Sequence, residues 1–343
     1  MRKITNKEVI GVIYGGKSPE HNVSITSAKN ICKGLDAAGF ETVPFYINEK
    51  GNWFIQNPNV QNPHDKTGKS LTDKNIIKEL KKSNSAFIAV HGNTGEDGQI
   101  AGFLQTLGVK YIGCGIESSA ICFDKHRTKL ALQARGIPIA PYLHIDIRDG
   151  FSFIEEYLNT KLDKTFFPCF IKPCRSGSSY GVTKAQNFEE VLKGIKTASK
   201  YDYSILIEKA IIGREIECAV IEGETANMPK ISLPAEIGIQ NSENSFYSTA
   251  AKYENDSVPL TAPANLNTEQ VKIIQSTAAT SYAVLECQSL ARIDMFLTPN
   301  NQAIVNEVNT IPGFTPISQY PKMWEVSGLD LSNLLKELIK TAH

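Results

Sequence analysis

Short apolar runs alternate with amphipathic stretches along most of the chain. The runs at 9–14, 41–47, 86–91, 167–173 and 204–208 are the strongest candidates for β-strands. Helical periodicity fills the stretch at about 24–38, which stops at a glycine, a second stretch from about 118 to 136, and a long one at about 268–286. A final helix is predicted from residue 329 onward. Because strands and helices alternate, we predict a layered architecture that combines α/β and α+β units.

Changes in this pattern divide the 343 residues into three predicted domains, 1–118, 119–210 and 211–343. That number agrees with the usual domain size of about 100–200 residues. Residues 57–72 are rich in Asn, Pro, Lys and Gly and predict a surface loop. The apolar runs are too short to span a membrane or to form the core of a signal peptide.

Charge and cysteine content narrow the possible functions. The 36 basic residues balance 36 acidic ones, which argues against a protein that wraps nucleic acid or lies on an anionic membrane. The seven cysteines include no Cys-x-x-Cys pair, so we expect reduced thiols rather than a disulfide framework or a zinc site. This combination predicts a cytoplasmic protein that acts on small molecules.

Polar loops follow several of the predicted strands. Glu20 lies in the turn after the first strand, where a carboxylate could hold a substrate ammonium or could simply favour the start of a helix. The loop at 91–98, His-Gly-Asn-Thr-Gly-Glu-Asp-Gly, is placed at the same kind of sheet edge. Lys172 ends another strand and precedes a Gly/Ser-rich loop at 174–181, which could close over phosphate or form a polar hairpin turn.

Two strand-like runs near the C-terminus are joined by the turn-forming sequence Thr-Pro-Asn-Asn-Gln. If the hairpin is centred on the Asn-Asn pair of this turn, Asp294 faces Glu307 and Arg292 faces Asn309. Side chains two residues apart share one face of a strand, so all four should point to the same side. The side-chain oxygens of Asp294, Glu307 and Asn309 suit Mg²⁺. The alternative interpretation is a salt bridge between Arg292 and the two acids. We favour the metal, because two acids facing each other would otherwise repel.

Taken together, these segments resemble an ATP-grasp enzyme, and specifically the D-alanine–D-alanine ligase family. The matching segments keep the family's order and spacing, at 15–24, 91–98, 119–125, 172–181, 208–215, 251–253, 292–294 and 306–315. The resemblance implies a parallel-sheet α/β domain followed by two α+β domains that clamp ATP. It also implies that ATP phosphorylates the carboxylate of one D-alanine and that a second D-alanine displaces the phosphate, giving the dipeptide used in peptidoglycan.

The resemblance further implies the roles of individual residues. Catalysis is assigned to Glu20, Ser178, Tyr253 and Arg292. Substrate binding is assigned to Glu20, His91, Arg292, Gly313 and Ser318. ATP binding is assigned to Lys125, Lys172, Ser178, Glu208, Lys209, Ile211, Glu215 and Lys252. Asp294, Glu307 and Asn309 are the implied ligands of two Mg²⁺ or Mn²⁺ ions. The implied assembly is a homodimer with D-alanine and ATP as its ligands, and without a nucleic-acid or membrane partner.

The chain departs from the family pattern at a few positions and leaves two other functions open. The departures are Ala101, Cys174, Ser176 and the pair Ser248-Thr249. One alternative is a ligase that joins D-alanine to D-lactate or D-serine on the same scaffold. A second is a catalytically silent ATP-binding sensor, which would not need to keep Arg292 beside the metal residues.

Overall fold

A mostly parallel sheet forms the first part of the fold. The computed structural model describes residues 7–57, 59, 69–70, 73–225, 228–238 and 260–343. The sheet contains β1 (Val9–Gly15), β2 (Glu41–Ile47), β3 (Trp53–Ile55), β4 (Lys69–Ser70), β5 (Ser85–Ile88) and β6 (Tyr111–Ile112), in the order β4-β3-β2-β1-β5-β6. β1 runs parallel to β2 and β5, and β5 runs parallel to β6. The helices here are α1 (His21–Ala38), α2 (Asp73–Leu80) and α3 (Gln99–Leu107).

A four-stranded antiparallel sheet follows. It consists of β7 (Tyr142–Asp146), β8 (Cys169–Pro173), β9 (Thr183–Ala185) and β10 (Ser204–Lys209), in the order β7-β10-β8-β9. The helices of this region are α4 (Ile116–Phe123), α5 (Lys125–Ala134), α6 (Phe151–Lys161) and α7 (Phe188–Ala198). Two 3₁₀ turns, Ile147–Asp149 and Lys164–Phe166, flank α6.

The third sheet carries the hairpin. Its strands are β11 (Arg214–Ile221), β12 (Lys230–Ile231), β13 (Ala235–Ile237), β14 (Leu260–Thr261), β15 (Leu290–Leu297) and β16 (Ala303–Asn309). They follow the order β14-β13-β11-β15-β16, and β12 pairs with β11. Three helices complete this part: α8 (Thr268–Val284), α9 (Gln319–Val326) and α10 (Leu331–Lys340). The alternation of layers agrees with the predicted architecture, while the bounds of the three domains stay a prediction.

Two predicted helices differ from the structure. The single helix expected at about 118–136 is wrong, because the chain turns extended at Asp124 (φ −91°, ψ 102°) between α4 and α5. The Asp124 carboxylate accepts hydrogen bonds from the N–H groups of His126 and Arg127 at 3.1 and 3.2 Å, and it thereby caps α5. The helix predicted from 329 begins at Leu331, and α9 before it was not predicted.

The first and last helices of the chain pack against each other. A Cβ built on Gly34 of α1 would lie 2.5 Å from Leu335 Cδ1 and 2.9 Å from Leu331 Cγ of α10, so a larger residue here would force these leucine side chains to shift. Apolar residues of β1 and α1 therefore share one buried core with residues of α9 and α10, including Trp324. All seven cysteines are free and buried. Among the described residues, no helix combines the length and the apolar character that a membrane span requires.

Candidate active site

One cleft brings together residues from all three sheet regions. Its empty volume is about 550 Å³, part of which is open to solvent. Six predicted site residues line it: Glu20, Lys125, Ser178, Arg292, Glu307 and Asn309. Carboxylate, ammonium, guanidinium and amide groups therefore face a shared space.

The hairpin of β15 and β16 places its polar side chains as predicted. Asp294 pairs with Glu307 and Arg292 pairs with Asn309. The pairs near the turn, however, are shifted by one residue from the predicted register, and Asn306 is the extra residue of a β-bulge that restores it. The predicted pairing of the site residues is confirmed because this bulge compensates for the different centre of the turn.

Arg292 lies between two buried acids. Its Nε and Nη2 atoms donate to the two carboxylate oxygens of Asp294, each at 2.7 Å. Its Nε also lies 3.5 Å from Oε2 of Glu217, the residue that faces Asp294 from β11. The side chains of all three residues are at most 7 % exposed. The expected alternative, a salt bridge of the arginine with an acid of the hairpin, is thus present in the structure.

The donors of this site fit a divalent cation that also binds phosphate. Asp294 and Glu307 face each other across the hairpin, and the Glu307 side chain is 30 % exposed toward the cleft. Each carboxylate oxygen has two lone pairs, so Asp294 can accept from Arg292 and still bind an ion. Within the described ranges, no three His, Cys, Asp or Glu side chains form a metal-holding group. Such an ion would therefore need further oxygen ligands from Asn309, water or a phosphate.

Glu20 forms the acidic end of the cleft. It is 8 % exposed, precedes α1 and accepts a hydrogen bond from the hydroxyl of Ser178. Built Cβ atoms on Gly92 and Gly177 would lie 2.9 and 2.8 Å from Glu20 Oε2, so both loops approach the carboxylate with bare backbone. Three segments that are distant in sequence therefore enclose one carboxylate.

His91 is linked to a neighbouring loop through hydrogen bonds at both ring nitrogens. Its Nδ1 donates to the carbonyl oxygen of Ile311 at 2.9 Å, and its Nε2 accepts from the hydroxyl of Ser27 at 3.0 Å. The Ser27 oxygen in turn accepts the N–H of Phe314 at 3.1 Å. Burial lowers the pKa of His91, which favours the neutral ring in which Nε2 accepts a hydrogen bond. Both ring nitrogens thus contact protein, and His91 holds the loop that contains Gly313.

The same loop contains two other predicted substrate contacts. A Cβ on Gly313 would lie 2.7 Å from the hydroxyl of Ser318. That hydroxyl accepts the N–H of Thr315 at 3.0 Å and contacts the Thr315 hydroxyl at 2.7 Å. Ser318 is 5 % exposed and immediately precedes α9. These contacts order the turn between β16 and α9.

Lys125 begins α5 and reaches across the cleft. Its Nζ donates to the carbonyl oxygen of Ser176 at 2.8 Å and lies 3.7 Å from Oε2 of Glu307. The contact with Ser176 uses the backbone, so it does not depend on the side chain that departs from the family pattern. Lys125 therefore joins the Gly/Ser-rich loop to the hairpin.

Lys172 and Glu208 lie on β8 and β10 and are not among the residues that line the cleft. Their side chains form an ion pair, and Lys172 Nζ also donates to Oδ1 of Asn306 at 3.4 Å. The second oxygen of Glu208 pairs with Lys129, a residue of α5. The predicted lysine and glutamate thus belong to a three-residue buried cluster that adjoins the bulge.

The remaining ATP-site predictions lie on and after β10. Lys209 ends β10, Ile211 is half-buried between β10 and β11, and Glu215 is the second residue of β11. Lys252 and Tyr253 lie outside the described residues, so their predicted roles stay predictions.

Three acidic or basic residues of this region were missed by sequence reasoning. Glu96 lines the cleft, where burial and then the charge of Glu20 raise its pKa to about 8. Glu217 shares a strand face with Glu215, and Lys129 lies one helical turn after Lys125. The spacings were visible in the sequence, but the burial of these side chains was not.

Models of two protein families match the chain. "D-ala D-ala ligase N-terminus" covers residues 9–114 and "D-ala D-ala ligase C-terminus" covers residues 131–340. A D-alanine–D-alanine ligase from Paenarthrobacter aurescens (strain TC1) is 34 % identical over 363 aligned residues, covering 99 % of this chain and 96 % of that protein.

Solved structures are similar over the same extent. The D-alanine-D-alanine ligase from Coxiella burnetii is 35 % identical, with a TM-score of 0.80 over 98 % of this chain and 93 % of that one. The VanG D-Ala:D-Ser ligase from Enterococcus faecalis is 31 % identical, with a TM-score of 0.85 over 98 % and 99 %. The likeness confirms the predicted fold class.

Proposed function

The chain belongs to the D-ala D-ala ligase family, and on this premise we propose that it joins two D-alanine molecules into D-alanyl-D-alanine while ATP is converted to ADP and phosphate. One observation carries the proposal: a single cleft is lined by the Glu20 carboxylate, the Lys125 ammonium and the Arg292 guanidinium. These groups complement an amino acid's ammonium, a nucleotide's phosphates and a developing oxyanion. The proposed product is a cytoplasmic precursor of peptidoglycan.

At the acidic end, Glu20 would hold the ammonium group of the first D-alanine. The hydrogen bond from Ser178 fixes the orientation of this carboxylate. The close approach of Gly92 and Gly177 restricts the space around it. A small amino acid suits this end, because the glycine backbones leave little room beyond the carboxylate.

The proposed chemistry has two steps. A carboxylate oxygen of the first D-alanine attacks the γ-phosphorus of ATP, ADP departs, and an acyl phosphate is formed. The amino group of the second D-alanine, after losing a proton, attacks the acyl carbon, and the C–O bond to phosphate breaks. Negative charge develops on the acyl oxygen between these events. Arg292 and the N–H of Gly313 are the proposed donors that stabilise it.

Asp294, Glu307 and Asn309 are the proposed ligands of two Mg²⁺ or Mn²⁺ ions. Such ions neutralise charge on the phosphoryl group that is transferred. Lys125 would add a further positive charge, since it lies 3.7 Å from Glu307 on the cleft wall. Domains at 1–118, 119–210 and 211–343 and a homodimeric assembly are proposed on the family resemblance.

Purified protein tests the reaction directly. With ATP and Mg²⁺, we expect phosphate release to depend on added D-alanine and mass spectrometry to detect the dipeptide. Arg292→Lys serves as the matched control, because it keeps the charge but loses the paired contact with Asp294. Nucleotide binding without phosphate release that depends on D-alanine would instead favour the silent sensor.

A second candidate is a D-alanine–D-serine ligase. It is favoured by the TM-score of 0.85 to the VanG D-Ala:D-Ser ligase. Offering D-alanine, D-serine and D-lactate together at equal concentration separates the candidates. We expect D-alanyl-D-alanine as the main product at neutral pH, and a majority of D-alanyl-D-serine would overturn the primary assignment.

A further inference from the structure

A buried group of charges lies between α5 and the four-stranded antiparallel sheet. One carboxylate oxygen of Glu208, on β10, forms an ion pair with Lys129, and the other accepts a hydrogen bond from Lys172. Lys172 comes from the neighbouring strand β8, whereas Lys129 comes from the helix that begins with Lys125. We call these three side chains the Lys–Glu–Lys cluster. Two positive charges thus share one negative charge.

The two lysines of the cluster differ in their exposure. The side chain of Lys129 is 2 % exposed, that of Glu208 is 4 % exposed and that of Lys172 is 15 % exposed. Only Lys172 also reaches the hairpin, through Oδ1 of Asn306. Lys129 is therefore enclosed by protein, while Lys172 lies at the edge where a ligand could meet it.

The charge balance of the cluster depends on both lysines. Burial lowers the pKa of Lys129, and the adjacent Glu208 counteracts this effect. Burial acts to raise the pKa of Glu208, but Lys172 and Lys129 outweigh it and hold the pKa below its usual value. Removing one partner from a buried charge pair leaves the other charge uncompensated, which is costly in a low-dielectric interior.

We propose that Lys129 is a positioning residue of the nucleotide site: by pairing with Glu208, it leaves Lys172 able to turn toward the phosphates of a bound nucleotide. Without Lys129, Glu208 would have Lys172 as its only partner within the cluster. Lys172 would then be held on the carboxylate and would bind phosphate poorly. The inference rests on the proposed function, since it assumes that Lys172 contacts nucleotide.

The first test measures binding of Mg-ADP by calorimetry to wild type and to Lys129→Met, a variant of similar length without the charge. We expect the Kd to rise about tenfold or more, the effect of losing one hydrogen bond to a charged group. The KM for D-alanine should change far less than the KM for ATP. An unchanged Kd in a folded Lys129→Met variant would overturn the proposal.

A second comparison separates positioning from a structural effect. Glu208→Gln removes the negative charge for which the lysines compete. In that background, Lys129→Met should no longer weaken ADP binding. The comparison of Glu208→Gln with the double variant remains informative even if Lys129→Met alone does not fold. The same loss in both backgrounds would show that Lys129 acts by another route.

These measurements keep the two proposals apart. ADP binding needs no D-alanine, so a chain that binds ADP with this pattern but makes no dipeptide would refute the proposed function and retain the role of Lys129. If Lys129→Met makes the dipeptide as well as wild type, the role of Lys129 would be refuted, but the proposed function would stand.

Discussion

Replacing Ser178 by alanine removes a hydroxyl that donates to the buried Glu20 carboxylate. Ser178 has a left-handed backbone with φ of 47°, a strain that alanine retains, so the substitution changes little except the hydrogen bond. A hydrogen bond to a charged group contributes about 1.5–3 kcal/mol. At about 1.4 kcal/mol for each factor of ten, we expect kcat/KM for D-alanine to fall about 10- to 150-fold.

The assay measures initial rates of phosphate release over a range of D-alanine concentrations at saturating ATP. Binding of Mg-ADP, followed by calorimetry, should fall much less than kcat/KM, because the Ser178 hydroxyl donates to Glu20 in the structure. Ser176→Ala is the matched control. It lies in the same loop and lines the same cleft, but its hydroxyl donates to the carbonyl of Tyr180 at 3.1 Å. Its kcat/KM for D-alanine should change little.

A double-mutant cycle with Glu20→Gln tests whether the Ser178 hydroxyl acts through the Glu20 carboxylate. If Ser178 acts through the Glu20 charge, Ser178→Ala should cost much less in the Glu20→Gln background than in wild type. Equal losses in both backgrounds would show that the hydroxyl acts elsewhere, and the account of this end of the cleft would be refuted.

Three further changes test other parts of the structure. Glu307→Gln removes the charge of a proposed metal ligand, so ATP turnover should be nearly abolished and its dependence on Mg²⁺ weakened. The fold should survive, because the change relieves the repulsion between Glu307 and Asp294. Normal turnover would contradict the metal assignment. The pKa of Glu96 is raised from 4.5 to about 8, so the folded chain binds the additional proton and the free energy of unfolding should fall as pH rises between these values. Glu96→Gln should flatten that fall in urea denaturation, and an identical pH dependence would exclude it as the cause. Gly34→Ala should lower the free energy of unfolding by about 1–3 kcal/mol through overpacking, with partial recovery in combination with Leu335→Ala; strict additivity of the two changes would count against direct contact.

The hairpin shows how far local sequence patterns can predict a site. Strict alternation places Arg292 and Asp294 on one face, but their pairing with Asn309 and Glu307 depends on the bulge as well as on the turn. The bulge at Asn306 could not be predicted, because the turn sequence and the alternation carry no signal for it. Asp124 is a different case. Aspartate is a common helix cap, so the break between α4 and α5 carried a local signal that the continuous periodicity obscured.

Lys129 and Glu217 show that the sequence pattern does not predict which charged side chains are buried. A lysine in a helix and a glutamate in a strand are ordinarily exposed, and nothing near them in sequence indicates burial. Each is buried and forms an ion pair with a residue from a distant segment, Lys129 with Glu208 and Glu217 with Arg292. Residue roles implied by family resemblance, such as those of Lys252 and Tyr253, remain predictions.

The contact between α1 and α10 affects the order in which the chain can fold during its synthesis. Gly34 meets leucines that are translated about 300 residues later. At roughly 5–20 residues per second, the ribosome needs about 15–60 s to cover that distance. The apolar face of α1 must therefore wait, exposed or shielded by a chaperone, until translation is almost complete. A stalled ribosome that stops before α10 would hold a nascent chain whose first sheet lacks part of its buried core.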